Sequence, residues 1–145
     1  MNRKRRIIAI VLLILTLCFI WFQSVLSREA SKSESARVLR FISRITERLF
    51  DFTPTEKLIR KCAHAIEYCL LGMEAAVVFA DLDRARSSMF RSISLCGFAA
   101  LLDETIQIFS GRGSLVSDVW IDIGGATFGV CTVVILMLLL KKEKT

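Results

Sequence analysis

The sequence predicts an all-α integral membrane protein: a four-helix bundle with an amphipathic interfacial helix between helices 1 and 2. Of its 145 residues, 54% are hydrophobic and 23% are charged, and the charges lie mostly between four long apolar runs. These runs are Ile7–Leu26, Cys62–Ala80, Ile93–Phe109 and Val119–Leu140. Each is close to the roughly 20 residues that cross the hydrocarbon layer as a helix. None has the alternation of barrel strands, so helices are the structure expected in lipid.

The first run follows a basic segment, Arg3–Arg6. A basic start before an apolar run also occurs in signal peptides, but this run is long and no clean A-x-A cleavage site follows it. We therefore expect it to stay in the membrane as helix 1, with residues 1–26 forming the basic flank and the span.

Residues 27–53 are predicted to form an extracytoplasmic amphipathic segment. Four apolar residues recur at helical spacing: Val38, Ile42, Ile45 and Leu49. The opposite stripe holds four arginines: Arg37, Arg40, Arg44 and Arg48. This pattern suits a helix lying in the headgroup layer. The alternative is a helix outside the membrane that packs on its own bundle.

Residues 54–145 are predicted to form the core with helices 2–4. Helix 2 is predicted to begin at the segment Thr53–Glu56. Thr53 can act as the cap, Pro54 suits the first helical position, and Glu56 completes a capping box. Gly111 is placed to end helix 3, and Ser117 or Asp118 can cap helix 4.

The basic residues favour both termini in the cytoplasm. With that orientation, ten of the 20 Lys and Arg residues lie on inner flanks and ten on outer segments. The tie is broken at helix 1, because Arg3–Arg6 flank its start while only Arg28 lies close to its end. The net charge of +6 then reflects membrane orientation and anionic headgroups. The lipid bilayer is the expected partner, and no nucleic-acid motif is present.

The five cysteines do not suggest a disulfide framework or a zinc cage. Their number is odd, all lie inside apolar runs, and no C-x-x-C pair occurs. We expect them to act as small buried apolar side chains.

Polar side chains from three helices are predicted to meet in one pocket at the outer face. Helix 2 contributes Lys61, His64, Glu67 and Tyr68; helix 3 contributes Asp103, Glu104 and Gln107; the next turn contributes Arg112; helix 4 contributes Asp118 and Asp122. The four residues of helix 2 share one helical stripe, and the pairs Asp103/Gln107 and Asp118/Asp122 are each separated by four residues. Charges at a membrane boundary are costly and usually mark function. Gly125-x-x-x-Gly129 allows a second helix to approach helix 4 closely.

These residues carry a family resemblance. The pattern Lys61-x-x-His64-x-x-x-Tyr68-x-x-Leu71-Gly72, Asp103-Glu104-x-x-Gln107, Arg112, Asp118, Gly125 and Gly129 resembles the VanZ-like family over about half of the chain. The family consists of small bacterial membrane proteins named after a teicoplanin-resistance accessory protein. The resemblance implies a role in the cell envelope and in glycopeptide resistance. Asp122 departs from the family, which more often carries Asn there, and it adds a carboxylate.

The first functional hypothesis is recognition of a cell-wall precursor, a glycolipid or a related anionic or sugar ligand outside the cytoplasm. Arg112 and Lys61 offer cations for a phosphate or a carboxylate. The polar groups of Asp103, Glu104 and Gln107 can bond to sugar or peptide groups.

The second hypothesis is a membrane hydrolase or transferase acting on a lipid-linked substrate. His64 with Asp103 or Glu104 can supply acid–base chemistry, with Glu67 as a further catalytic candidate. A divalent metal is a possible cofactor, with His64, Asp103 and Asp118 as candidate ligands. An ion pathway is disfavoured because the polar residues gather on one side rather than through the whole membrane depth.

Overall fold

The computed structural model describes residues 3–25, 53–110 and 115–142. In these ranges the chain forms four α-helices and one 3₁₀ turn: α1 Arg3–Val25, α2 Glu56–Val78, the 3₁₀ turn Leu82–Arg84, α3 Ala85–Phe109 and α4 Val116–Lys142. The described part of the chain contains no strand, as the sequence predicts. The predicted amphipathic helix and Arg112 lie outside the described residues.

Three of the four predicted spans are confirmed as candidate membrane helices. Helices α1, α3 and α4, of 23, 25 and 27 residues, are long and apolar enough to cross a membrane. Helix α2 has 23 residues but is not among these candidates. Charged side chains are scattered along it, and its crossing of the membrane stays a prediction.

The helix ends differ from the predicted ones. The cap of α2 is Thr55 rather than Thr53: its backbone is extended at φ −78° and ψ 150°, and its hydroxyl accepts a hydrogen bond from the Leu58 N–H at 3.2 Å. Helix α4 begins at Val116, so Asp118 lies in its first turn rather than at its cap. Helix α3 begins at Ala85, well before its apolar run, because the serines and arginines there also sustain helical hydrogen bonds.

Helix α2 contacts each of the other three helices and packs most extensively on α4. The two backbones meet through glycines, as the Gly125-x-x-x-Gly129 spacing predicts. A Cβ at Gly125 would collide with the carbonyl of Ala65, and one at Gly129 with the carbonyl of Cys69. Gly72 of α2 is equally tight against the backbone of α4. Only small residues allow this separation.

The core is built largely from small side chains. Ala75, Ala99, Ala100 and Ala126 are buried around Tyr68. The large apolar side chains mostly point outwards from all four helices, which suits lipid contact. The expectation of buried cysteines holds only in part. Cys96 is buried and two others are half-buried, but Cys18 and Cys62 are exposed on the outer faces of their helices.

Side-chain hydrogen bonds link α1 to the rest of the bundle. The Thr16 hydroxyl donates to a carboxylate oxygen of Glu74 at 3.1 Å, and the Trp21 indole donates to the Ala99 carbonyl at 3.4 Å. These contacts join α1 to α2 and to α3, in addition to the packing of its buried Ile20.

One end of the bundle is rich in cations. The Lys141 ammonium lies 2.9 Å from the carboxylate of Asp83, which ties the end of α4 to the 3₁₀ turn. The hydrogen bond from Lys141 and the charge of its ammonium lower the pKa of Asp83. Arg84 lies in the same 3₁₀ turn and Lys142 at the same end of α4, while Arg86 and Arg91 belong to the first turns of α3.

The contact between α2 and α4 gives a matched pair of substitutions. Gly129→Ala should destabilise the bundle by about 1–3 kcal/mol, because its Cβ meets backbone that cannot move aside. Gly124→Ala is the control, since a Cβ there meets nothing within 4 Å, and better helix propensity should leave stability unchanged or raised by up to about 1 kcal/mol. Reversible unfolding in detergent micelles measures both; equal stabilities would refute the close packing.

Candidate functional site

Asp103 lies at the centre of the candidate site. Its side chain is 0% exposed, although it carries a carboxylate. The Ser24 hydroxyl of α1 donates a hydrogen bond to one oxygen, and the Gln107 amide donates to the other at 2.9 Å. Such bonds are needed where a carboxylate is removed from water. Helices α1 and α3 therefore hold this group together.

The imidazole of His64 lies between two carboxylates. Its Nδ1 atom is 3.8 Å from Asp103 Oδ2 and 3.8 Å from Asp122 Oδ1. Both distances are too long for a hydrogen bond but lie within ion-pair distance. The His64 side chain is 18% exposed, so it forms the accessible edge of an otherwise buried cluster. The cluster joins α2, α3 and α4.

Asp122 and Tyr68 are buried without hydrogen-bond partners among the described residues. The Asp122 side chain is 1% exposed, and neither of its carboxylate oxygens receives a donor. The Tyr68 hydroxyl, one helical turn after His64, is also unpartnered. An unsatisfied buried polar group costs free energy, so its persistence marks this place as a functional candidate.

A small pocket opens beside this cluster. It is lined by Arg60, Lys61, His64, Glu104, Gln107, Asp118, Ile121 and Asp122. The Lys61 ammonium lies 2.7 Å from the Asp118 carboxylate, and both side chains are partly exposed. Glu104 and Gln107 are buried deeper. The pocket therefore has a charged rim and a wall of acceptors and amide groups.

The residues predicted as a site fall into three groups. The pocket and its buried cluster bring together Lys61, His64, Asp103, Glu104, Gln107, Asp118 and Asp122. Glu67 does not line the pocket; it accepts a hydrogen bond from the Gln23 amide of α1 at 2.9 Å. Arg112 lies outside the described residues, and its role as an anion clamp stays a prediction.

The structure favours a different set of metal ligands from the candidate set named above. Among the described residues, the group with metal-ligand spacing is His64, Asp103 and Asp122. Asp118, the third candidate from the sequence, forms an ion pair with Lys61 instead. Asp122 lies one helical turn deeper than Asp118, which brings its carboxylate to the level of the imidazole.

Sequence reasoning missed the contribution of α1. Ser24 and Gln23 donate hydrogen bonds to Asp103 and Glu67, whereas the sequence places them only inside the apolar run Ile7–Leu26. Their signal was available: two adjacent polar residues close a transmembrane run at the level of the predicted pocket. Arg60 also lines the pocket and is not among the predicted site residues.

The family model described as VanZ/LLP1 matches residues 9–139. It covers most of the chain, including at least the greater part of each of the four helices, and the protein therefore belongs to the VanZ/LLP1 family. No curated protein matches the chain. No solved structure matches it either.

The anchoring of Asp103 by α1 predicts a stability effect. Ser24→Ala removes a donor from a buried carboxylate and should cost about 1–2 kcal/mol of unfolding free energy. Ser94→Ala, at an exposed position of α3, is the matched control and should change stability by less than about 0.5 kcal/mol. Thermal unfolding in detergent compares the two. If Ser24→Ala proves as neutral as the control, α1 does not hold Asp103.

Proposed function

We propose that this VanZ/LLP1 membrane protein binds the anionic or sugar-bearing headgroup of a cell-envelope ligand, such as a cell-wall precursor, in the pocket between α2, α3 and α4. The observation that carries the proposal is the composition of that pocket. Two cations, Arg60 and Lys61, stand beside the buried acceptor and amide groups of Glu104 and Gln107. Cations suit phosphate or carboxylate, and the deeper groups suit hydroxyl and amide partners.

We further propose that α2 crosses the membrane and completes a four-span bundle. Its outward side carries exposed Ile66 and Leu70, while its acidic Glu67 and Glu74 face polar side chains of α1. Charged residues that face the bundle interior are tolerated in membrane helices. The charged residues that distinguish α2 from the three candidate membrane helices are therefore compatible with α2 crossing the membrane.

The pocket is proposed to face away from the cytoplasm. Ser24 closes α1 beside Asp103, so the basic start of α1, Arg3–Arg6, lies at the opposite end of the bundle. The cationic pair of α4 and the basic turn before α3 share that end. Cations concentrate on cytoplasmic flanks, which supports cytoplasmic termini and an extracytoplasmic pocket. The predicted amphipathic segment would then lie in the outer headgroup layer.

The biological role that we propose is a contribution to glycopeptide resistance, including resistance to teicoplanin, through capture of the precursor or its peptide stem. A second candidate is a hydrolase or transferase acting on a lipid-linked substrate. It is favoured by one observation: the His64 imidazole lies 3.8 Å from each of two carboxylates, an arrangement suited to moving protons.

Teicoplanin susceptibility in a sensitive Gram-positive host tests the role directly. Expression of the wild-type chain should raise the inhibitory concentration, and His64→Ala, Glu104→Gln and Arg112→Ala should return it to the level of the empty vector. Asp83→Asn, at the other end of the bundle, is the control and should behave as wild type. Full resistance in Glu104→Gln and Arg112→Ala, at matched protein levels, would contradict the proposed site.

Binding of a polyprenyl pyrophosphate, with and without its sugar-peptide group, separates the ligand from the phenotype. Glu104→Gln should weaken binding of the sugar-peptide form by about 1–3 kcal/mol, roughly 5–100-fold in Kd. Native mass spectrometry or binding in nanodiscs measures it. Turnover of the probe by wild type, lost in His64→Ala, would favour the enzyme; no binding of either form would reject both candidates.

The orientation has its own test. In a cysteine-free background, Thr55→Cys at the exposed start of α2 should react with a membrane-impermeant maleimide in intact cells. Asp83→Cys, exposed at the other end, should react only after the cells are permeabilised. The reverse labelling pattern would place the pocket in the cytoplasm.

A further inference from the structure

We propose that His64, Asp103 and Asp122 form a binding site for one divalent transition-metal ion, Zn²⁺ or Mn²⁺. The proposal is independent of which headgroup the pocket takes. One ligand atom of each residue lies within 4.8 Å of the other two. The three ligands come from three different helices, and the packing of those helices fixes their separation.

The distances fit a metal ion better than direct bonds between the side chains. Nitrogen and oxygen ligands at about 2.1 Å from a tetrahedral ion stand about 3.4 Å apart. The two separations from the His64 Nδ1 atom to carboxylate oxygens are 3.8 Å each. A contraction of about 0.4 Å would bring them to coordination distance. In contrast, these separations are too long for a hydrogen bond.

Asp122 supplies the second, independent observation. Its carboxylate is 1% exposed, it points into the cluster beside His64, and neither oxygen has a hydrogen-bond donor. A buried carboxylate without a donor needs a positive charge or a proton. A cation shared with Asp103 meets this need for both acids at once.

The surroundings of Asp103 resemble the outer shell of a metal site. Ser24 and Gln107 donate hydrogen bonds to its two carboxylate oxygens. Such bonds orient a ligating carboxylate while leaving lone pairs for the ion. The fixed orientation of Asp103 and the free oxygens of Asp122 are therefore complementary parts of one site.

The pocket provides room for the ion and a route to it. The pocket has room for about one water molecule. Its rim is the partly exposed pair of Lys61 and Asp118. Three protein ligands with an open fourth position are the arrangement of catalytic rather than structural zinc sites. One imidazole and two carboxylates suit Zn²⁺ and Mn²⁺.

The ion would also change which ligands the pocket accepts. Without it, the carboxylates of Glu104, Asp103 and Asp122 repel an anion at the pocket's inner wall. A divalent cation offsets two of these charges and presents a Lewis acid at the open position. A phosphate or carboxylate could then bind through the metal as well as through the cations of the rim.

Metal analysis of the full-length protein in detergent tests the site. Wild type dialysed against Zn²⁺, and separately against Mn²⁺, should retain about one ion per chain of at least one metal. Asp122→Asn and His64→Gln should weaken that affinity by at least about tenfold. Asp83→Asn, a matched change at an exposed aspartate outside the cluster, should bind as wild type does.

Thermal unfolding provides a second readout that does not depend on activity. The ion should raise the Tm of wild type and of Asp83→Asn, because it binds only the folded chain, and should leave Asp122→Asn unchanged. Without metal, Asp122→Asn should be at least as stable as wild type, since it removes an unpartnered buried charge. This stability shows that lost binding is not lost folding.

The metal site is overturned if wild type retains no stoichiometric ion, or if Asp122→Asn and His64→Gln bind as tightly as wild type. The first result would assign the positive charge beside Asp122 to a proton. It would leave the headgroup proposal standing, because polyprenyl pyrophosphate binding is measured separately.

Discussion

The backbone contact between α2 and α4 is the constraint on which the site depends. Gly125 and Gly129 lie against the carbonyls of α2, and Gly72 lies against α4, so the two helix axes come closer than larger side chains would allow. His64 and Asp122 are each within one turn of this contact in sequence. A wider separation would move the imidazole away from the carboxylate and open the cluster to water. The glycines therefore set the geometry of the candidate site without lining its pocket.

The burial of the acidic groups accounts for the way α1 packs on the bundle. A carboxylate at 0% exposure is stable only with partners, and Asp103 finds them on α1 and on its own helix. Helix α1 is thus part of the site rather than a simple membrane anchor. At the opposite end, cations and an exposed ion pair mark a surface with different chemistry. Both ends of the bundle are polar, and the buried carboxylates of Asp103, Glu104 and Asp122 lie at the end that holds the pocket.

The sequence predicted the helical class, the membrane character and the family because each depends on patterns along the chain. It also predicted that His64 and Asp103 belong to one pocket, since both occupy the same level of neighbouring helices. It did not predict the partners Ser24 and Gln23, whose contacts depend on how α1 is rotated against the bundle. Nor did it select Asp122 over Asp118 beside the imidazole. Which of the two aspartates lies beside the imidazole depends on how far along the bundle His64 sits relative to α4. The spacing of residues within one helix does not reveal this.

The bond from Ser24 to Asp103 spans 79 positions of the chain, and this has a consequence for biogenesis. The chain is synthesised from its N-terminus, so the Ser24 hydroxyl of α1 is made before the acidic pair of α3, Asp103 and Glu104. Insertion of that pair is unfavourable for an isolated helix and becomes easier beside a pre-placed donor. The hydrogen bond from Ser24 is thus a contact that α3 can form only after α1 is already in place.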